Sequence, residues 1–330
     1  MRIAFLVNRV ETEIDEYATT RLAKAAALMG HEIWYVGVGD LRIGEPDGAI
    51  GAHAHPGIAS NEDTLTAFLD RMKESTPEGI RMDKLDAVFL RNDSIEDLQE
   101  RPWASSFGAV FGELLTKRGV TVVNDPKVLL RAATKVYLDE FPAEIRPRSL
   151  VTRNDEDVRD FISSVGRSII KPLCGAKGRN VFMVDGEDEP NLNQIMEAVL
   201  EDGYIYAQGY VDGAEEGDMR IFLLDGELIE VDGHVAAFQR VPDGNDPRAN
   251  ISAGGTMQPG EITKEKRAVV EALHDKLVQD GMFFVGIDVI GDKVVEINAE
   301  SPGGLQAIEW LYEVDICPVL IDALERRTRK

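Results

Sequence analysis

The most restrictive feature of the sequence is the segment VGIDVIGDKVVEINAESPGG, residues 285 to 304. It reads as two short apolar strands joined by a tight turn, and it carries Asp288, Glu296 and Asn298. Side chains alternate between the faces of a strand, so Glu296 and Asn298 share a face, and a turn at Gly291-Asp292 lets Asp288 join them. Two carboxylates and an amide oxygen are hard ligands of the kind that Mg²⁺ takes beside phosphates. An ordinary hairpin with an acidic exposed face is the alternative.

Composition limits the classes of partner. The net charge of −23 argues against nucleic acid and against anionic membranes, because both need a basic surface on the protein. No apolar run approaches the roughly 20 residues that span a bilayer. Cys174 and Cys317 are far apart in sequence, so we expect no disulfide framework, and a reducing cytoplasm is the simplest setting. If the substrate is anionic, the basic residues that bind it must be concentrated locally against this overall negative charge.

The N-terminal part reads as an open α/β sheet. A buried strand at 2–7, a helix at 16–29 and a strand at 32–38 form a βαβ opening without the GxGxxG dinucleotide pattern. Further strands are predicted at 85–91 and 119–125, whereas residues 42–82 give no clear pattern. With 330 residues the chain has room for two or three lobes of roughly 150 residues each.

Shorter mixed elements follow this sheet. We predict three lobes, at 1–125, 126–202 and 203–330. The predicted elements after residue 125 are a helix begun by Pro126, a helix with Lys135, strands at 148–152, 168–173, 180–184, 204–211, 219–224 and 227–232, helices from Asn154 and Pro190, a polar loop at 240–256, a helix at 263–280, the hairpin and two final helices.

The stretch IIKPLCGAKG is a candidate phosphate site. Lys171 ends an apolar strand, and buried strands rarely accept lysine unless it meets an anion. Gly175 and Gly178 in the following loop let backbone N–H groups approach a phosphate closely. The loop lacks the Walker spacing, and a strand-end lysine with an ordinary hairpin turn is the alternative.

Two later segments carry arginines that suit an anionic substrate. Asp218 and Arg220 lie on one face of a predicted strand, where the arginine either clamps a carboxylate or phosphate or forms a surface ion pair. The long segment 239–255 contains Arg240, Arg248 and Asn250 and ends at Gly254-Gly255. A loop of this length is either a lid over an anionic substrate or a disordered surface loop.

Taken in order, these motifs resemble those of the ATP-grasp carboxylate–amine ligases, and most closely the bacterial glutathione synthetases. The resemblance is strongest in LVTRN, IIKPL, AQGYV with GDMR, RANISAGG and FVGIDVIGDKVVEIN. It implies an α/β protein with an ATP-grasp fold: an N-terminal open parallel α/β domain, a central lid subdomain, and a C-terminal domain with the metal and acceptor site. It also implies a homo-oligomer.

The resemblance further implies the site residues and the cofactors, ATP and two Mg²⁺ ions, with Mn²⁺ as the alternative metal. Lys135 and Lys171 would bracket ATP with Asp218 and the loop from Gly175 to Gly178, and the backbone of Gln208, Gly209, Tyr210 and Val211 would hold adenine. Asp288, Glu296 and Asn298 would bind the metal. Arg220, Arg240, Arg248 and Asn250 would hold the acceptor carboxylate and the acyl phosphate.

The implied activity is amide formation through an acyl phosphate, as in glutathione synthesis from γ-glutamylcysteine, glycine and ATP. One alternative is an amino-acid or glutamate ligase that acts on another peptide or metabolite, and a second is a non-catalytic ATP-binding protein. The sequence departs from the family where Arg91-Asn92-Asp93-Ser94-Ile95 replaces Arg-Lys-Asp-Pro-Pro, at Cys174 and Lys177, and in EINAESPGG. The first and third changes lie where the acceptor should bind.

Overall fold

The N-terminal lobe is built on a seven-stranded sheet with the order β3-β4-β2-β1-β6-β7, and β5 pairs with β4. In the computed structural model, which describes residues 1–44, 47–175, 178–242 and 255–329, the strands of this sheet are β1 (Arg2–Val7), β2 (Glu32–Gly37), β3 (Leu41–Gly44), β4 (Ala49–Gly57), β5 (Glu78–Arg81), β6 (Ala87–Leu90) and β7 (Thr121–Val123). Strands β2, β1, β6 and β7 are parallel, which confirms the predicted open α/β sheet. The antiparallel strands β4 and β5 come from the stretch without a clear pattern.

Helices pack on both sides of this sheet. They are α1 (Ala18–Leu28), α2 (Leu65–Glu74), α3 (Ser94–Glu100), α4 (Phe107–Lys117) and α5 (Pro126–Ala132). The Asp93 side chain accepts hydrogen bonds from the first amides of α3, and Asp125 does the same for α5, so both helices begin at capped residues. The segment with Lys135 forms a 3₁₀ helix, Lys135–Glu140.

The middle lobe is a four-stranded antiparallel sheet with two helices. Its elements are β8 (Ser149–Thr152), α6 (Asp155–Val165), β9 (Ser168–Pro172), β10 (Phe182–Val184), α7 (Leu192–Glu201) and β11 (Ile205–Gly209), with the strand order β10-β9-β11-β8. The predicted hairpin is present, with Phe182 opposite Ile170. Asn154 caps α6 through the amide of Glu156, as its position predicts. Because β11 ends at Gly209, Tyr210 and Val211 lie beyond the strand.

The C-terminal lobe contains a second antiparallel sheet with the order β17-β16-β12-β18-β19, and β13 pairs with β12. Its elements are β12 (Asp218–Leu224), β13 (Glu227–Leu228), the ribbon β14 (Glu230–Val231) and β15 (His234–Val235), β16 (Ala237–Val241), β17 (Thr256–Pro259), α8 (Lys264–Gln279), β18 (Phe284–Ile290), β19 (Lys293–Asn298), α9 (Leu305–Tyr312) and α10 (Cys317–Thr328). The strand predicted at 227–232 is therefore two short strands, β13 and β14. Most of the predicted polar loop, residues 243–254, lies outside the described residues.

The hydrophobic core consists of three buried clusters, and only the middle lobe has one to itself. The middle lobe has a core of its own, in which Val158, Ile170 and Ile205 pack together. The N- and C-terminal lobes instead share their two cores: Phe5 of β1 belongs to the same buried cluster as Leu320 of α10. Burial of apolar surface therefore joins these two lobes into one body.

Buried Asn124 reinforces this joint. Its Nδ2 donates to the carbonyl oxygens of Phe284 at 2.9 Å and Ala299 at 2.5 Å, and its Oδ1 accepts from the amide of Phe284 at 2.9 Å. An asparagine can make several such bonds at once. The end of β7 thus holds both strands of the hairpin that carries the candidate metal ligands.

Candidate active site

A cavity of about 460 Å³ lies where the three lobes meet. Every sequence-predicted site residue that the structure describes lines it: Lys135, Lys171, Gly175, Gly178, Gln208, Gly209, Tyr210, Val211, Asp218, Arg220, Arg240, Asp288, Glu296 and Asn298. Arg248 and Asn250 lie outside the described residues, as do Lys177 and Gly254. Segments predicted as separate motifs therefore converge on one space.

The hairpin places its polar side chains by means of a β-bulge. Ile290 pairs with Lys293 across the Gly291-Asp292 turn, but the register then shifts so that Asp288 is opposite Glu296. Without the unpaired Val295, regular pairing would put Val295 opposite Asp288 and turn Glu296 to the other face of the sheet. The predicted shared face of Asp288 and Glu296 is present because of this bulge.

Four charged side chains form a buried network on the neighbouring strands. Arg240 donates to Asp218 through Nε at 2.6 Å and Nη2 at 2.7 Å, and its Nη2 lies 2.8 Å from Asp288 Oδ2. Arg220 binds Asp288 from the other side with two hydrogen bonds. The interpretation of Asp218 and Arg220 as a surface ion pair is wrong, because Arg220 is 8% exposed.

This network shifts the pKa of three of its members, Asp288, Asp218 and Arg240. Burial raises the pKa of Asp288, but Arg220 and Arg240 outweigh burial and hold that pKa well below its ordinary value. Burial and the charge of Asp288 raise the pKa of Asp218. Burial lowers the pKa of Arg240, but Asp288 and Asp218 outweigh it and raise that pKa above its ordinary value. Arg240 is thus held as a guanidinium that faces the cavity.

Two lysines line the same cavity. Lys171, 8% exposed at the end of β9, donates to Gln208 Oε1 at 2.9 Å. Its burial lowers its pKa to about 8. Lys135 donates to the carbonyl oxygen of Gly175 at 2.7 Å and lies 3.7 Å from Glu296. Both ammonium groups donate hydrogen bonds to uncharged oxygens, and Glu296, at 3.7 Å from Lys135, is the one carboxylate that pairs with either of them among the described residues, which leaves positive charge available to an anion.

Local backbone geometry brings the start of β12 close to β16. Gly217 has a φ of +94°, and a Cβ there would lie 1.8 Å from the carbonyl oxygen of Arg240. Only glycine fits that close approach. It allows the chain to turn directly into β12 and to place Asp218 opposite Arg240.

Neither Asp93 nor Glu300 was predicted as a site residue, although both belong to segments that were expected to bind the acceptor. Asp93 and Glu300 also line the cavity, and Glu300 accepts hydrogen bonds from the backbone amide and hydroxyl of Ser94, at 3.0 and 2.9 Å. Burial raises the pKa of Glu300 to about 8, although the bonds from Ser94 oppose the shift. The two departures from the family motifs, at Ser94 and at Glu300, are thus in direct contact.

The donor set of the hairpin fits a hard cation. Glu296 and Asn298 face the cavity, and Asn298 donates to Asp288 Oδ2 at 3.4 Å, which leaves its own carbonyl oxygen free for a metal. Among the described residues no three His, Cys, Asp or Glu side chains are grouped so that they alone could hold a metal ion. Magnesium suits this arrangement, since it is usually held by one or two carboxylates together with phosphate oxygens.

Comparison with known proteins gives the family. The family model described as "Prokaryotic glutathione synthetase, N-terminal domain" matches residues 1–130. The model described as "Prokaryotic glutathione synthetase, ATP-grasp domain" matches residues 134–313. The chain belongs to this family. The glutathione synthetase of Synechococcus elongatus is 32% identical to this chain over an alignment of 337 residues. The alignment covers 98% of this chain and 98% of the relative. That of Vibrio cholerae is 32% identical over 302 residues, 91% of this chain and 89% of the relative.

Solved structures show the same fold. A D-cycloserine synthetase, DcsG, superimposes with a TM-score of 0.66 at 15% identity and covers 99% of both chains. The ATP-grasp ligase PsnB, bound to a minimal precursor, gives 0.64 at 20% identity, over 99% of this chain and 98% of that one. The chain therefore has the ATP-grasp fold. None of its described helices is both long enough and apolar enough to cross a bilayer.

Proposed function

We propose that this protein is an ATP-dependent ligase that joins γ-glutamylcysteine to glycine and releases ADP and phosphate. The observation that carries the proposal is the convergence of two lysines, two arginines and the bulged carboxylate hairpin on one cavity. Positive charge and hard oxygen ligands side by side suit a nucleoside triphosphate with its metal ion. Family membership supports the particular substrates.

The proposed roles follow from the position of each side chain. Lys135, Lys171 and the backbone from Gly175 to Gly178 hold phosphates, and the chain from Gln208 to Val211 with Asp218 holds the nucleoside. Asp288, Glu296 and Asn298 hold Mg²⁺ or Mn²⁺, two ions in all. Bound magnesium neutralises phosphate charge and polarises the phosphoryl oxygens.

In the proposed reaction the terminal phosphoryl group of ATP passes to the substrate carboxylate and forms an acyl phosphate. The amine of glycine attacks the acyl carbon, the C–N bond forms and inorganic phosphate leaves. Arg220 and Arg240 stabilise the oxyanion that develops, since their ion pairs with Asp288 and Asp218 hold both guanidiniums in place. No side-chain nucleophile is needed, so catalysis rests on positioning and electrostatics. We assign Arg248 and Asn250, outside the described residues, to the same role.

The remaining expectations stay proposals. The division into three lobes is one of them: the sequence predicts 1–125, 126–202 and 203–330, and we propose that the second boundary falls after Gly209, since β11 pairs with β8 and β9. The others are a homo-oligomeric state and action in the cytoplasm on small molecules.

The direct test is ADP release from ATP and Mg²⁺ with γ-glutamylcysteine and glycine, together with the mass of the product. We expect glutathione, and no product when glycine is omitted. No ADP release with this pair would overturn the specific assignment.

The contact between Ser94 and Glu300 favours one other candidate, a ligase of the same class that accepts a different amino acid or peptide. Glu300 lines the cavity, Ser94 holds it there, and both residues lie in segments that depart from the family motifs. A screen of amino acids and γ-glutamyl peptides for ADP release separates the two candidates.

A further inference from the structure

One part of the cavity wall carries two carboxyl groups that no described cation pairs with, whereas the other carboxylates of the cavity lie beside lysines and arginines. Asp93, at the start of α3, and Glu300, in the loop after β19, both face the cavity. Arg220 and Arg240 are already paired with Asp218 and Asp288. Within the described ranges, no Lys, Arg or His forms an ion pair with Asp93 or Glu300.

Glu300 is held in place by one oxygen only. Its Oε2 accepts from the amide of Ser94 at 3.0 Å and from the Ser94 hydroxyl at 2.9 Å. Its Oε1 accepts no hydrogen bond from the described part of the chain. The carboxylate is therefore oriented by the protein while half of its acceptor capacity remains for a ligand.

Asp93 likewise uses one carboxyl oxygen for hydrogen bonds within the described chain and leaves the other for a ligand. Its Oδ1 accepts from the amides of Ile95 and Glu96, both at 3.0 Å, and its Oδ2 has no donor among the described residues. Because Glu300 is bonded to the next residue, Ser94, the two carboxyl groups are neighbours. Two partly desolvated carboxylates side by side are unfavourable without a cation, and each has an oxygen to offer one.

We propose that Glu300, with Asp93 beside it, binds the α-ammonium group of the γ-glutamyl substrate and thereby determines which carboxylate substrate is accepted. An ammonium group has three N–H donors and no acceptor, so it matches these free carboxylate oxygens and repels the lysines and arginines that line the same cavity. The substrate is thus oriented by its positive group as well as by its negative ones. This inference rests on the proposed function.

The test compares two substrates that differ only in this group. Glutarylcysteine is γ-glutamylcysteine without the α-amino group. We expect the wild-type enzyme to prefer γ-glutamylcysteine in kcat/KM by roughly 10- to 100-fold, the effect of one charged hydrogen-bonded group. In Glu300→Gln, which keeps an acceptor for Ser94 and removes the charge, we expect that preference to fall to within about threefold while KM for ATP is unchanged.

The ratio of the two peptides within one enzyme does not depend on how much of the variant is folded. Glu261→Gln is the matched control, because Glu261 is exposed and does not line the cavity, and it should keep the wild-type ratio. An equal ratio in wild type and Glu300→Gln would overturn the inference even if glutathione is formed.

Calorimetric titration of both peptides, with ADP and Mg²⁺ present, separates this inference from the proposed function. If γ-glutamylcysteine binds without turnover, and Glu300→Gln loses only the preference over glutarylcysteine, the inference stands and the proposed function fails. If neither peptide binds to the wild-type protein, both fail.

Discussion

Asp288 lies directly opposite Glu296 across the β18–β19 hairpin, although a two-residue turn with regular pairing would place Val295 there. The bulge at Val295 puts both carboxylates on the face that lines the cavity. Asp288 is also bound by Arg220 and Arg240, whereas Lys135, at 3.7 Å, is the one cation within ion-pair distance of Glu296 in the described part of the chain. Glu296 is therefore the carboxylate that a cation can reach with least rearrangement.

For Glu296→Gln we expect the Mg²⁺ concentration for half-maximal ADP release to rise at least about tenfold, because a charged ligand is lost. A Mn²⁺ titration followed by electron paramagnetic resonance should show the same weakening without any turnover. The exposed Glu227 supplies the control, since Glu227→Gln should leave both curves unchanged. An unaltered metal requirement in Glu296→Gln would remove the metal assignment.

For Arg240→Lys we expect kcat to fall roughly 100-fold, because one ammonium group cannot replace the bidentate contact with Asp218 and the contact with Asp288. Steady-state kinetics with saturating ATP measures the change. Arg267→Lys is the matched substitution on the surface, where Arg267 lies 3.5 Å from Glu230, and it should be silent. A wild-type kcat for Arg240→Lys would exclude Arg240 from the reaction.

Replacing Asn124 by Leu should lower the free energy of unfolding by about 3 kcal/mol or more, since three buried backbone groups lose their partner. Urea denaturation followed by circular dichroism measures the loss. Asn61→Leu, at an exposed position, should change stability by less than about 0.5 kcal/mol. Equal stability of the two variants would show that Asn124 does not join the lobes.

Glu13 gives the protein a specific pH dependence. Burial raises its pKa to about 7, although Arg91 and Lys73 oppose the shift. Between pH 4.5 and 7 the folded state keeps a proton that the unfolded state has lost, so this group makes stability fall as pH rises. Glu13→Gln should therefore be more stable than wild type above pH 7, by on the order of 3 kcal/mol, and equal to it near pH 4.

Urea denaturation of both proteins at several pH values measures this difference. Glu11→Gln, two residues away and exposed, should follow the wild-type curve. A constant difference between Glu13→Gln and wild type across the range would contradict the raised pKa.

The strands and the residues that line the cavity could be predicted from the sequence because both are marked by patterns among residues close together in the chain. Continuous apolar runs mark the buried strands β1 and β9, and Lys171 stands out because it interrupts such a run. The ordered motif set then located the cavity. Each of these inferences needs only residues that are close in the chain.

What could not be predicted depends on residues far apart in sequence. Nothing in VVEIN distinguishes a regular strand from one bulged at Val295, because the bulge is defined by its partner strand. The contact of Ser94 with Glu300 joins residues 206 positions apart, and Asn124 reaches Phe284 over 160. Hydrophobic patterns and secondary-structure propensities carry no information on contacts between residues so far apart in sequence.

The shared cores of the first and last lobes have a consequence for synthesis on the ribosome. Ile3 and Phe5 of β1 belong to one buried cluster with Leu22 of α1 and Leu320 of α10, and α10 packs against α1. The first sheet and α1 can form as they emerge, but the side of α1 that packs against α10 stays uncovered until almost the whole described chain has been translated. The middle lobe, with its separate core, can finish folding earlier. Nascent chains that carry an exposed apolar surface for that long are targets for chaperones, and truncation before α10 should yield aggregates rather than a smaller folded protein.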